Sequence, residues 1–134
     1  MTDTQTHALI HAAREAARHA YCPYSSYPVG AAALTPDGRT YTGCNVENAS
    51  YGLTLCAERV AIAKAASDGH RTITALAVAG GTPANPATPC GACRQVLAEF
   101  ATAETPVLIA PLTDGGTVTT TLGALLPMAF KTHG

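Results

Sequence analysis

Two short cysteine stretches constrain the fold of this chain more than any other part of its sequence. The first is Cys56-Ala57-Glu58-Arg59, and the second is Pro89-Cys90-Gly91-Ala92-Cys93-Arg94-Gln95. Each stretch opens an apolar run with helical character, so each group of cysteines is expected at the beginning of a helix. If the two stretches form one site, the fold must bring two helix N-termini to the same point.

The side chains of these stretches are typical of a zinc site. Cys90 and Cys93 are one helical turn apart, and with Cys56 they can supply three thiolates at about 2.3 Å from one ion. Three ligands rather than four leave one coordination position for water, as in catalytic zinc sites. Glu58, two residues after a ligand, is therefore expected to move protons of that water rather than to bind the metal.

The charge of such a site requires compensation. Zinc with three thiolates carries a net negative charge, which acidifies water less effectively than a site with a neutral histidine. Helix N-termini can donate backbone N–H groups to the sulfurs. Arg59, one turn after Cys56, is predicted to be a cation beside the ligands; its alternative role is an ordinary surface ion pair.

Other sites are compatible with the same residue types. Cys90-Gly91-Ala92-Cys93 alone resembles a redox dithiol at a helix start, which would need neither Cys56 nor Glu58. A closed structural zinc site would need a fourth ligand, for which the candidates are Cys22, Cys44 or a histidine. Three residues at four-residue steps on the first predicted helix form a further metal candidate or a solvated face: His7, His11 and Glu15.

The composition limits the partners of the chain. Of 134 residues, 47% are hydrophobic and 13% are charged, and the formal net charge is −1 without a run of basic residues. A surface that binds a nucleic-acid backbone normally shows clustered Lys and Arg, so a small-molecule substrate is expected rather than a polynucleotide. The scarcity of charge predicts a large apolar interface between subunits.

The sequence indicates neither export nor membrane insertion. No apolar stretch reaches membrane-spanning length, and Met1-Thr2-Asp3-Thr4-Gln5 lacks the basic and apolar segments of a secretory peptide. Five cysteines, an odd number, suit metal binding in a reducing compartment better than a disulfide framework. We therefore expect a cytoplasmic protein without a membrane partner.

Hydrophobic periodicity predicts one domain, over residues 1–134, in which helices and strands alternate. Helices are predicted over 4–20, 56–67 and 90–101, and strands over 29–35, 40–46, 74–80, 106–111 and 117–121. The last strand is expected to be an antiparallel edge strand, 81–89 a loop and 122–130 a short closing segment. The pattern indicates an α/β domain with helices on the faces of a mixed sheet.

Two segments are candidates for the walls of a pocket. Residues 21–28 contain two prolines, two serines and three of the five tyrosines, and therefore predict an irregular loop. Such a loop could wall a pocket or pack on the surface. In an extended strand Asn45 and Glu47 point to one side, where an amide and a carboxylate could hold sugar hydroxyls or serve a turn.

Together, these motifs resemble those of the small homotetrameric cytidine deaminases. Beyond the cysteine stretches the resemblance includes Tyr24-Ser25, Val29-Gly30-Ala31-Ala32, Gly43-Cys44-Asn45-Val46-Glu47-Asn48-Ala49 and Leu125-Leu126-Pro127, and it covers nearly the whole chain. It implies a three-layer α/β/α sandwich around a five-stranded mixed sheet. It also implies one Zn²⁺ per chain bound by Cys56, Cys90 and Cys93, with Glu58 as the proton shuttle.

The resemblance further implies how substrate is held. Asn45 and Glu47 would bind the ribose hydroxyls, and Tyr27 would lie against the pyrimidine ring, where the family usually has phenylalanine. Tyr51 and Phe130 would reach into the pocket of a neighbouring subunit, which implies a homotetramer with shared active sites. The remaining substrate contacts implied by the resemblance are Ala49 and Ala57.

The activity implied is hydrolytic deamination of cytidine and 2′-deoxycytidine with release of ammonia, as in pyrimidine salvage. Three alternatives stay open: a deaminase of aminoacyl-nucleoside antibiotics of the blasticidin type, a polynucleotide cytosine deaminase, and a zinc-stabilised binding module without catalysis. Arg59 and the segment 45–48 argue against the first. The absence of a basic groove argues against the second, and Glu58 argues against the third.

Overall fold

The computed structural model describes residues 1–132 and shows ten helices and strands in that range, with one 3₁₀ turn at Tyr51–Leu53. In chain order they are α1 (Asp3–Ala17), β1 (Val29–Leu34), β2 (Thr40–Cys44), α2 (Ala57–Ser67), β3 (Ala75–Thr82), β4 (Asn85–Pro86), α3 (Gly91–Phe100), β5 (Pro106–Ala110), β6 (Val118–Thr121) and α4 (Leu122–Leu125). All three predicted helices and all five predicted strands are present, with ends that differ by a few residues.

The strands form a mixed sheet with the order β2-β1-β3-β5-β6. The β3–β5 pair is parallel, whereas β1–β2, β1–β3 and β5–β6 are antiparallel. The predicted mixed sheet and its antiparallel last strand are thereby confirmed. The prediction of a plain loop over 81–89 was wrong, because Gly81 and Thr82 pair with Pro86 and Asn85 to form the two-residue strand β4.

Alternate residues of the central strands bury against opposite helical layers. Leu76, Val78, Val107 and Ile109 pack in one cluster with Ile62 of α2 and Leu97 of α3. Their neighbours in sequence pack in a second cluster with Leu9, Ile10 and Ala13 of α1. The period of two along each strand thus produces the predicted three layers, with α1 on one face and α2 and α3 on the other.

Helix α1 begins with a capping box in which the Thr2 side chain accepts from Gln5 N–H and the Gln5 side chain accepts from Thr2 N–H. The helix ends at Ala17, three residues before the predicted end at 20. Its buried face is apolar and consists of Leu9, Ile10, Ala13, Ala16 and Ala17. None of the helices within residues 1–132 is long and apolar enough to cross a membrane.

Helix α2 packs closely on β2 because Gly43 faces it. A Cβ at this position would lie 2.5 Å from the carbonyl oxygen of Ala57 and 2.6 Å from the backbone nitrogen of Ala61. The backbone of the first turns of α2 therefore occupies the space that any other residue at position 43 would fill. This contact fixes the height of the N-terminus of α2 above the sheet.

Candidate metal centre and adjoining pocket

The N-termini of α2 and α3 bring the cysteines together, as the two stretches predict. Cys56 and Cys90 are the N-cap residues of their helices, with the extended backbone that this position requires. Cys93 lies in the first turn of α3 and is buried. Three sulfur atoms therefore face one point at which backbone N–H groups and two helix dipoles favour negative charge.

The sulfur separations match those of a metal site. Cys56 Sγ lies 3.8 Å from Cys90 Sγ, which in turn lies 3.4 Å from Cys93 Sγ. Sulfurs bound tetrahedrally at about 2.3 Å from zinc lie about 3.8 Å apart, so the cluster fits this ion. Among residues 1–132, these three cysteines are the only group of three or more His, Cys, Asp or Glu residues whose ligand atoms all lie within 4.8 Å of one another.

The contacts among the sulfurs favour a thiolate at Cys56. A hydrogen bond from Cys93, supported by Arg59 and Cys90, lowers the pKa of the Cys56 thiol to about 5. The same contact raises the pKa of Cys93 above its ordinary range, because that thiol is the donor. Deprotonated sulfur is the form that binds metal, and the site therefore holds one such ligand at neutral pH.

Arg59 contacts the cluster as its spacing predicts. Its Nη2 donates to Cys56 Sγ at 3.4 Å and to the carbonyl oxygen of Thr54 at 3.3 Å. Its Nε is buried without a hydrogen-bond partner among the described residues. The guanidinium is thus drawn to the sulfur side of the site and is held there by the segment that leads into α2.

Glu58 lies in the first turn of α2 and is only 3% exposed. Burial, reinforced by the negative charge of Cys56, raises the pKa of its carboxyl to about 7. A carboxyl group with such a pKa gains and loses a proton at similar cost near neutral pH, as a general acid–base requires. The Glu58 side chain lies beside the sulfur atoms but does not join them as a fourth ligand group.

A pocket of about 390 Å³ opens in front of the metal-binding cysteines. Six residues predicted for the site line it: Tyr27, Asn45, Cys56, Ala57, Glu58 and Cys90. Six more were not predicted: Val29, Thr54, Asn85, Pro86, Ala87 and Thr88. Of these, residues 85–88 carry a weak sequence signal, because they precede the motif that begins at Pro89. Which of their side chains turn inward depends on the β3–β4 pairing.

A second hollow, also about 390 Å³, adjoins this pocket at Thr54. Tyr24, Ser25, Glu47 and Tyr51 form its other walls, so the structure separates Glu47 and Tyr51 from the sulfur cluster. Two other residues predicted to contact substrate line neither pocket of this chain: Ala49 and Phe130. Both are exposed, and the backbone oxygen of Phe130 accepts a hydrogen bond from Gln95 Nε2 at 2.8 Å.

Asn45 and Glu47 point toward the loop 21–28, and both are engaged there. Asn45 is 8% exposed; its Nδ2 donates to Tyr27 O at 2.8 Å, and its Oδ1 accepts from Val29 N at 2.9 Å. Glu47 accepts from the backbone N–H of Tyr24 and Ser25 and from the Ser25 hydroxyl. Both residues follow β2, which ends at Cys44 rather than at the predicted 46. Their common direction was predicted, but these intramolecular partners were not.

Comparison with known proteins agrees with this geometry. The family model described as cytidine and deoxycytidylate deaminase zinc-binding region matches residues 3–109, a range that includes the three cysteines and Glu58. A cytidine deaminase of Sporosarcina psychrophila is 52% identical over 123 residues, which are 92% of this chain and 89% of that protein. A cytidine deaminase of Mycobacterium tuberculosis is 47% identical over 130 residues, 97% of this chain and 92% of that protein.

Solved structures give the same result for the fold. The crystal structure of cytidine deaminase from Burkholderia pseudomallei has a TM-score of 0.88 at 48% identity and covers 97% of this chain and 100% of that chain. That of cytidine deaminase from M. tuberculosis has a TM-score of 0.82 at 45% identity and covers 98% and 99%. The sulfur cluster, the fold and these similarities together show that the chain belongs to the zinc-binding cytidine and deoxycytidylate deaminase family.

Proposed function

We propose that this protein hydrolyses cytidine and 2′-deoxycytidine to uridine and 2′-deoxyuridine and releases ammonia, as a pyrimidine salvage enzyme acting through a single domain. The observation that carries the proposal is a cluster of three cysteine sulfurs beside a pocket that is lined by two of these cysteines, Cys56 and Cys90, and by the buried carboxyl of Glu58. The names of the similar proteins, cytidine deaminases in each case, support the choice of substrate.

Cys56, Cys90 and Cys93 would hold one Zn²⁺ per chain. When bound, the ion lowers the pKa of a water molecule toward neutrality, which is the chemistry that the reaction requires. Arg59 and the two helix N-termini oppose the excess negative charge of three thiolates. With three sulfur ligands from the chain, a coordination position is left for the water.

Glu58 carries the protons of the reaction, a division of labour that is general among base deaminases. Its carboxylate accepts a proton from the attacking water and delivers a proton to ring nitrogen N3, which makes C4 electrophilic. The water oxygen bonds to C4. Glu58 then takes the second proton from that oxygen and passes it to the exocyclic nitrogen, whose bond to C4 breaks. Ammonia leaves, and C4 keeps the oxygen as a carbonyl.

The pocket residues would hold the nucleoside against Glu58. Tyr27 and Ala57 line the pocket and would contact the base, and Asn45 and Glu47 would contact the sugar. A tyrosine ring at position 27 can stack on a pyrimidine as well as a phenylalanine ring can. Ala49 lies on the same segment as Asn45 and Glu47 and would contribute its backbone.

We further propose a homotetramer in which Tyr51 and Phe130 complete the pocket of a neighbouring subunit. Tyr51 is 75% exposed and Phe130 is 73% exposed, which is high for such large apolar side chains in a chain with 13% charged residues. The absence of clustered basic residues in the sequence supports a free nucleoside rather than a nucleic acid as substrate. None of the five cysteines forms a disulfide, which supports the cytoplasm as its location.

Glu58→Ala tests the proposed activity. The variant should retain zinc at the wild-type ratio per chain, because no sulfur is altered, and should lose nearly all ammonia release from cytidine and deoxycytidine. Zinc is measured by metal analysis of the purified protein, and Glu104→Ala, at an exposed carboxylate, is the control. Retained turnover in Glu58→Ala would contradict the mechanism, and a wild-type protein that binds zinc but deaminates neither nucleoside would favour a structural zinc site.

A further inference from the structure

The hydroxyl of Ser25 lies between two residues that the proposed function assigns to substrate binding. It donates a hydrogen bond to Glu47 Oε2 and accepts one from the backbone N–H of Tyr27 at 3.1 Å. The backbone N–H of Ser25 donates to Glu47 Oε1 at 3.1 Å, next to that of Tyr24 at 3.0 Å. Ser25 thus contacts both Tyr27, which lines the pocket in front of the cysteines, and Glu47, which lines the second hollow.

The loop around Ser25 needs such contacts to keep its shape. Ser26 adopts φ of 55°, a left-handed conformation that is costly for residues other than glycine. Downstream, Asn45 holds the loop at Tyr27 O and Val29 N. Upstream of Tyr27, the Glu47 carboxylate and the Ser25 hydroxyl hold the loop by hydrogen bonds, and the Tyr24 ring packs edge-on against Tyr51.

Hydrogen-bond accounting shows what remains free on Glu47. A carboxylate offers about four lone-pair positions. Oε1 accepts from two backbone N–H groups, and Oε2 accepts from the Ser25 hydroxyl. One position, on Oε2, is left for a ligand, and the Ser25 hydroxyl determines its direction.

We propose that Ser25 is a positioning residue that holds Tyr27 and Glu47 in register and directs the free lone pair of Glu47 toward a single sugar hydroxyl of the nucleoside. The inference rests on the proposed function, because it requires Glu47 to contact substrate. It places Ser25 outside the chemical step, since Glu58, Cys56 and Cys90 line the other pocket.

Ser25→Ala should therefore weaken substrate binding and leave the chemical step in place. Loss of a hydrogen bond to a charged group predicts a KM for cytidine about tenfold higher, with kcat within about twofold of wild type. Zinc content should be unchanged. Ser25→Thr keeps the hydroxyl and should restore KM, and Ser67→Ala, at an exposed serine on α2, is the matched control.

The pH profile separates positioning from a general loss of structure. The Ser25 hydroxyl is the main reason that the pKa of Glu47 lies below its ordinary value. Glu58, with a pKa of about 7, sets the first acid limb of kcat/KM, and protonation of Glu47 adds a second, steeper fall at lower pH. Without the hydroxyl the pKa of Glu47 rises, so this lower acid limb should move upward in Ser25→Ala while the limb set by Glu58 stays in place. In a Glu47→Gln background there is no carboxylate to titrate at this position, and Ser25→Ala should leave the remaining acid limb where it is.

Each outcome bears on one claim. A wild-type KM and an unshifted lower acid limb in Ser25→Ala, or a Ser25→Thr variant as impaired as Ser25→Ala, would overturn the positioning role. A Ser25→Ala variant in which kcat and thermal stability both fall would also overturn it. Should Ser25→Ala fail to fold, the same quantities are measured in Ser25→Cys. If wild-type protein releases no ammonia from cytidine, the proposed function itself fails, whatever the Ser25 variants do.

Discussion

Arg59 is the cation that we propose compensates the negative charge of the zinc ligands. Its guanidinium donates to Cys56 Sγ, and the carbonyl oxygen of Thr54 holds it in that orientation. Three thiolates around one divalent ion leave an excess negative charge, and a neighbouring cation draws electron density away from the sulfur that it contacts. The effect is greatest where water is excluded, as it is at the buried Nε of Arg59.

Arg59→Ala should weaken zinc binding by about 10–100-fold, the usual range for the loss of a partner that supports a metal ligand. Competition with a chromophoric chelator measures the affinity, and single-turnover kinetics with cytidine measure the chemical step. Arg18→Ala, at the exposed arginine that follows the last residue of α1, should change neither. An Arg59→Ala protein with wild-type zinc affinity and rate would show that this contact is only a surface interaction.

The residues of this site differ in how far the sequence predicts them. Five residues can be predicted from the sequence, because their spacing at two helix starts fixes their positions locally: Cys56, Glu58, Arg59, Cys90 and Cys93. The hydrogen bonds of Asn45 and Glu47 are different. Their partners lie about twenty residues away along the chain, in a loop whose conformation depends on the assembled sheet, and no local pattern encodes such contacts.

At the scale of elements, the position of α2 depends on β2. Gly43 brings the strand against the first turns of the helix that carries Cys56 and Glu58. A side chain there would push the helix N-terminus away from the sheet and from α3. The contact therefore links an unremarkable strand glycine to the geometry of the sulfur cluster.

Gly43→Ala should destabilise the fold by about 1–3 kcal/mol, the usual cost of overpacking, and should also lower zinc affinity because α2 is displaced. Chemical denaturation measures the first effect, and chelator competition measures the second. Gly52→Ala is the matched control, since a Cβ at Gly52 meets no atom within 4 Å. Wild-type stability in Gly43→Ala would mean that the helix can move without disturbing the site.

The elements themselves follow from hydrophobic pattern where they are long and from tertiary contact where they are short. The 3.6-residue and two-residue periods predict α1, α2, α3 and the five main strands because each carries a continuous buried face. Strand β4 and the 3₁₀ turn at Tyr51–Leu53 span two and three residues. Segments this short have no period, and they form only because neighbouring parts of the fold supply their partners.

At the scale of the whole molecule, exposed apolar side chains are concentrated in the segment 46–55. Its large hydrophobic residues are Val46, Tyr51, Leu53 and Leu55, with exposed fractions of 40%, 75%, 67% and 46%. Val46 and Leu55 exchange two backbone hydrogen bonds of 2.9 Å, so the segment is a closed loop with a defined shape. A shaped apolar surface beside a pocket is typical of an interface between subunits.

Leu53→Lys should therefore dissociate the proposed tetramer. Burying an unpaired ammonium group costs several kcal/mol per subunit, more than one apolar contact contributes, so smaller species are expected in sedimentation velocity. If neighbouring subunits complete each pocket, ammonia release should fall with the tetramer fraction. Val118→Lys, on the edge strand β6 and 50% exposed, adds the same charge elsewhere and should preserve the assembly. A monomeric wild-type protein with full activity would contradict both the tetramer and the shared pocket, and the exposed ring of Tyr51 would then need another partner.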